Sequence, residues 1–208
     1  MRFKLTPKAI LVPTISLFLI CLVVTAVLAL TNNVTAEKIA ANEQASKEQS
    51  MQTVCPEAMK FEELIPDVLY CGTLENGEVA GYAISTATQG YGGQVKVMTG
   101  IKDGNIVAVD VFYNDDETPG LGKNTSNESF RDQFNGLSVD SEISVSKDSS
   151  DGQTIDAVTS ATISSRAVTK AVSEAMEIYN ENVKDDTSVS AIGNVDEASS
   201  DNTAKEGE

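Results

Sequence analysis

Residues 94–114 read QVKVMTGIKDGNIVAVDVFYN, and this stretch decides the fold. Two apolar, β-branched runs flank Lys102-Asp103-Gly104-Asn105, and Asp-Gly is a strong signal for a tight hairpin turn. In the first run Val95, Val97, Thr99 and Ile101 fall on one face of a strand. In the second, Val107, Val109, Val111 and Tyr113 do the same. GYAISTAT, residues 81–88, alternates in the same way, so 81–114 predicts an antiparallel meander.

Beyond the meander, DDETPGLGKN (115–124) is a loop by its Pro and Gly content, and NESFRDQFNG (127–136) a short helix with Asn127 as N-cap and Gly136 as its stop. SEISVSKD (141–148) has strand character. RAVTKAVSEAMEIY continues a helix over 164–179, with Val168, Val172, Ala175, Met176 and Tyr179 as its apolar stripe. Strands followed by helices predict an α+β domain, an antiparallel sheet with flanking helices, over 53–180.

Two segments differ in kind from that domain. Three of the chain's 15 basic residues, Arg2, Lys4 and Lys8, lie in its first 30 residues, where none of the 31 acidic residues is found. Residues 9–30 carry no charge, and about 22 residues at a rise of ~1.5 Å span a bilayer core. The expected order is a basic tip (1–8), a transmembrane helix (9–30), a polar juxtamembrane stalk (31–52), the domain, and an acidic, disordered tail (181–208). The charge bias predicts a single-pass protein of the cell membrane, with a cytoplasmic N-terminus and an extracytoplasmic domain. A cleaved signal ending at Val34-Thr35-Ala36 is the rival reading, and the length of the apolar run favours a retained anchor.

The net charge of −16 leaves no positive stripe for nucleic acid. With no histidine in the chain, His-based acid–base catalysis and His metal ligation are excluded. Neither a catalytic residue nor a metal site is predicted. Cys55 and Cys71 either form a disulfide or remain as two free, half-buried thiols.

DAVTSATISS, residues 156–165, crowds five hydroxyls at the mouth of the last helix. Helix N-termini offer unpaired N–H groups and partial positive charge, so one reading is a phosphate site. The other is plain capping by Ser160 or Thr162. ETPGLG, residues 117–122, is either an ordinary connection or a loop whose glycines let the backbone approach a flat ligand.

Taken in order, GYGGQVKVMTGI, ETPGLG and DAVTSATISS resemble the signatures of the FMN-binding domain family, whose members include the RnfG and NqrC subunits of two related ion-translocating respiratory complexes. The resemblance covers about residues 1–180 and implies one covalent FMN per chain, joined through its phosphate to the Thr162 hydroxyl. Ser160 stands where the family frequently has glycine. By the same resemblance Glu117, Thr118, Gly120, Leu121 and Gly122 lie near the flavin, and Thr159, Ser160, Ala161, Ser164 and Ser165 surround the attachment point, with Arg166 and Lys170 following. It further implies that Asp156 is read by an FMN transferase that uses FAD and a divalent metal. The short chain favours the RnfG branch: an electron-carrying subunit of an Rnf-type ferredoxin:NAD oxidoreductase complex, partnered by that complex's other membrane subunits. An NqrC-like subunit of the sodium-pumping quinone oxidoreductase is the first alternative. A flavin-free anchored binding domain and a stand-alone extracellular flavoprotein are the others.

Overall fold

The computed structural model describes residues 7–146 and 153–184. The basic tip to residue 6 and the tail from residue 185 lie outside the described residues. The chain divides into two units, Met1–Ala45 and Ser46–Glu208.

Helix α1 runs continuously over Pro7–Val54, so the segment read as a stalk is helical. Its apolar part is long enough to cross a membrane, and side chains such as Leu17, Phe18 and Leu28 are exposed. From Ser46 onward its residues belong to the second unit.

That unit is built on a five-stranded antiparallel meander in sequence order. The strands are β1 (Lys60–Ile65), β2 (Leu69–Thr73), β3 (Val79–Gln89), β4 (Gln94–Lys102) and β5 (Asn105–Tyr113). The β4–β5 turn has Asp103 at φ 52° and Gly104 at φ 73°, the two left-handed residues of a type I′ hairpin. Val95, Val97 and Ile101 are wholly buried on one face, as their alternation predicts. The face assigned to β5 needs correction. Gly100 pairs with Ala108 and Ile101 with Ile106, which leaves Val107 as the extra residue of a β-bulge. Ile106 therefore joins Val109 and Val111 in the core, while Val107 is 44% exposed.

Both faces of the sheet are covered. Helix α3 (Thr162–Tyr179) packs Val168, Ala171, Val172, Ala175 and Met176 against Ile84, Val95 and Val97. Thr86 and Thr88 donate hydroxyl bonds of 3.0 and 2.8 Å to the Ala171 and Ala167 carbonyls, which fixes the helix on β3. On the opposite face the last turns of α1 and the residue after it bring Met51, Val54 and Cys55 onto Tyr70, Ala83 and Met98. Gly100 admits this close approach, since a Cβ there would lie 2.4 Å from the Val54 carbonyl oxygen.

Between β5 and α3 come a 3-10 turn (Gly122–Ser126), the short α2 (Glu128–Arg131), a second 3-10 turn (Asp132–Phe134), and the parallel pair β6 (Ile143–Val145) and β7 (Gln153–Ile155). Gly136 ends the helical segment at φ 80°, as expected of a stop.

Cys55 and Cys71 are free thiols, more deeply buried than half. A Cβ at Gly81 would sit 3.5 Å from the Cys55 sulfur, and its partner Gly72 faces Ala58 on that same side. Cys71, one residue before Gly72, points to the other face of the sheet.

Candidate functional site

The β3–β4 turn is Gly90-Tyr91-Gly92-Gly93, closed by a 2.8 Å bond from the Gly90 N–H to the Gly93 carbonyl. It lies directly on the start of the ETPGLG loop. A Cβ at Gly92 would be 1.9 Å from the Asp116 carbonyl oxygen, and one at Gly90 would be 2.1 Å from Glu117 Oε1. Only glycine permits that contact.

Glu117 is the residue that joins the three motifs. It is 2% exposed. Its Oε1 accepts the Tyr91 N–H at 2.7 Å and the Gly92 N–H at 3.2 Å, and its Oε2 accepts the Ser164 hydroxyl at 2.7 Å. A buried carboxylate oxygen left without donors is costly, and here both are satisfied. One side chain thus ties the glycine turn, its own loop and the first turn of α3. The two loop glycines have different roles. Gly120 supplies a left-handed turn at φ 77° with open space around it, whereas a Cβ at Gly122 would stand 2.0 Å from Glu117 Oε2.

Neither hydroxyl expected to cap α3 does so. The N-cap is Ala161, without a side-chain cap, and Thr162 is the first helical residue. Ser160 turns the chain into the helix at φ 62°, a conformation that glycine adopts more readily. Ser165 Oγ instead braces the approach, accepting the Val158 N–H at 3.0 Å and donating to the Ala161 carbonyl at 3.0 Å. The intrahelical ladder begins at the Ser165 N–H, bonded to the Ala161 carbonyl at 2.9 Å. The N–H groups of Thr162, Ile163 and Ser164 precede that bond, at the positive end of the helix.

These elements enclose a cleft of about 450 Å³. Of the residues expected at the site, Glu117, Thr118, Leu121, Gly122, Ser160, Ala161, Thr162 and Ser164 line it, and Gly120, Thr159, Ser165 and Asp156 do not. Asp156 and Thr159 line a separate polar groove of about 290 Å³. Lys170 is engaged in an i,i+4 pair with Glu174 at 3.5 Å, on the helix surface. Sequence reasoning misses two lining residues, Tyr91 and Ile163. With Leu121 they form an apolar rim, exposed by 69%, 50% and 39% for Tyr91, Ile163 and Leu121. The signal for Tyr91 is its place between the glycines of a turn that needs them.

The cleft has the donor set an FMN asks for. Its lining combines the first residues of α3 and several hydroxyls with an apolar, aromatic rim, chemistry that can hold a phosphate and a flat ring. Among the described residues no cluster of three or more Cys, Asp or Glu side chains has metal-binding geometry.

The FMN-binding domain model matches residues 90–177, which contain all three motifs, and the RnfG N-terminal region model matches residues 1–54. The chain is 32% identical over 165 residues to the G subunit of the proton-translocating ferredoxin:NAD(+) oxidoreductase complex of Clostridium ljungdahlii, covering 79% of this chain and 86% of that one. It is 35% identical over 184 residues to the G subunit of the Na(+)-translocating ferredoxin:NAD(+) oxidoreductase complex of Acetobacterium woodii, covering 78% and 88%. Among solved structures, the C subunit of the Na(+)-translocating NADH-quinone reductase of Parabacteroides distasonis overlaps 53% of this chain and 59% of its own, at 21% identity and a TM-score of 0.45.

Proposed function

We propose, for a chain that belongs to the family of G subunits of ion-translocating oxidoreductase complexes, the role of membrane-anchored, FMN-bearing electron carrier in an Rnf-type ferredoxin:NAD complex. The observation that carries this reading is the Glu117-centred cleft, which holds Thr162 at the N-terminal end of α3. FMN is joined covalently, one per chain, by a phosphoester to the Thr162 hydroxyl. The N–H groups of Ile163 and Ser164 and the partial positive charge of the helix end suit the phosphate. Tyr91, Leu121 and Ile163 provide apolar sides for the ring, and Glu117 keeps the walls in register.

A flavin supplies the redox chemistry when bound, so the chain's residues bind and orient it and need no acid–base pair of their own. An FMN transferase attaches it, reading Asp156. The α1 helix anchors the domain to the membrane with its N-terminus in the cytoplasm, which raises its effective concentration beside the complex's other subunits.

The test is the intact mass of the protein from its native membrane, beside a Thr162→Ala variant. The native chain is expected to carry roughly 440 Da of additional mass, the size of FMN less water, and to fluoresce in a denaturing gel; the variant does neither. A native chain at its bare mass sinks the proposal.

A further inference from the structure

Asp156 leaves β7 one residue after the strand ends, and its backbone is taken up by the side chain of Gln133. Gln133 Oε1 accepts the Asp156 N–H at 2.7 Å, and its Nε2 donates to the Asp156 carbonyl at 3.3 Å and to the Phe130 carbonyl at 3.4 Å. A side-chain amide that bonds both the N–H and the C=O of one residue imitates a neighbouring strand. It fixes the backbone on which the exposed Asp156 carboxylate is carried. The base of this clamp is firm, because Phe134 is fully buried and meets Phe130 edge-to-face at 5.7 Å.

The clamp stands in the polar groove of about 290 Å³. Its walls come from two sources: Asn124, Asn127, Ser129 and Gln133 on one side, and Asp156 to Thr159 on the other. The next residue, Ser160, already lines the cleft that holds Thr162. The chain therefore passes from groove to cleft between Thr159 and Ser160.

We propose that Gln133 is a positioning residue for flavin attachment, and that the groove it shares with Asp156 is where the FMN transferase docks. Recognition then depends on the folded 3-10 turn at 132–134 as well as on the linear motif. The inference rests on the reading above, that Thr162 receives FMN and that Asp156 is read by the attaching enzyme. In that step Thr162 Oγ1 forms a bond to the flavin-side phosphorus of FAD. The bond from that phosphorus to the bridging oxygen breaks, AMP leaves with the oxygen, and the hydroxyl proton passes to solvent.

The experiment uses the full chain in detergent, made in cells that lack the transferase, with FAD, Mg²⁺ and purified transferase added. Flavin incorporation is followed by mass and in-gel fluorescence as the chain concentration is varied. Gln133→Ala is expected to raise KM for the chain at least roughly tenfold, since a misplaced recognition group can cost up to ~100-fold, while kcat stays within about twofold. Gln133→Glu keeps an oxygen for the Asp156 N–H and falls between the two. Should the alanine variant lose its cooperative melt, Gln133→Glu and Gln133→Met carry the comparison. A wild-type KM in these variants, or a fall in kcat alone, overturns the proposal while flavin attachment to the wild-type chain stands. A wild-type chain that gains no mass defeats the underlying reading instead.

Discussion

Glu117 and Gly122 show how closely the cleft is built. The Glu117 oxygens accept three protein donors, and the Gly122 backbone lies against one of them. Gly122→Ala forces a Cβ to within 2.0 Å of Oε2 and 2.7 Å of Ser164 Oγ, so the carboxylate must leave its donors. Overpacking of this kind costs about 1–3 kcal/mol. We expect a lowered melting midpoint together with loss of the in-gel flavin signal. Gly120→Ala meets no atom within 4 Å and bears only the strain of φ 77°, about 1–2 kcal/mol. It should lower the midpoint while the flavin signal stays. If the two variants lose flavin equally, Gly122 is not the close-approach position. Both glycines are visible in the sequence, but which one turns the chain and which one touches a carboxylate is not. That division depends on where Glu117 is carried by the fold.

The packing of α1 on β4 can be read through a thiol. Burial pushes the Cys55 thiol up to about 11, with the nearby Cys71 adding to the rise and Lys102 opposing it. The neutral thiol is the form the fold prefers. Its contribution to stability is complete below the unfolded value near 9 and is lost as pH rises from there through about 11. Iodoacetamide at pH 8 should leave Cys55 unmodified in the folded protein. Gly100→Ala places a Cβ 2.4 Å from the Val54 carbonyl oxygen, lifting the last turn of α1 and exposing the thiol to alkylation. Unchanged protection in that variant would mean that α1 docks some other way. Element by element, legibility follows local chemistry. The β4–β5 hairpin is written in Asp103-Gly104, and the α3 stripe in its spacing. Val107 is misplaced by simple alternation because a bulge has no local signature in a run of apolar residues. β1 carries Lys60, Glu62 and Glu63 on an edge, which hides its strand period, and β2 is buried on both faces, so it has no polar alternation to show. Helix α3 starts two residues before the position its spacing predicts, because Ser160, in a left-handed conformation, turns the chain there without capping it.

For the whole molecule, the charge asymmetry makes a claim about sides of a membrane. Arg2, Lys4 and Lys8 precede an uncharged run, and every acidic residue follows it. Basic flanks stay on the cytoplasmic side, so the proposed arrangement puts the flavin domain outside. An electron carrier so placed must exchange electrons with partners across the bilayer or at its outer face. The domain also offers its own reporters, because Lys60 and Lys170 are exposed. In intact cells a membrane-impermeant amine reagent should modify these two lysines and spare Lys4 and Lys8. In inverted vesicles the pattern should reverse. Mass mapping of tryptic peptides reads both pairs of lysines in each preparation. Modification of Lys4 and Lys8 from outside the cell would place the domain in the cytoplasm. The transferase would then have to act there, and the orientation proposed from the charge bias would be wrong.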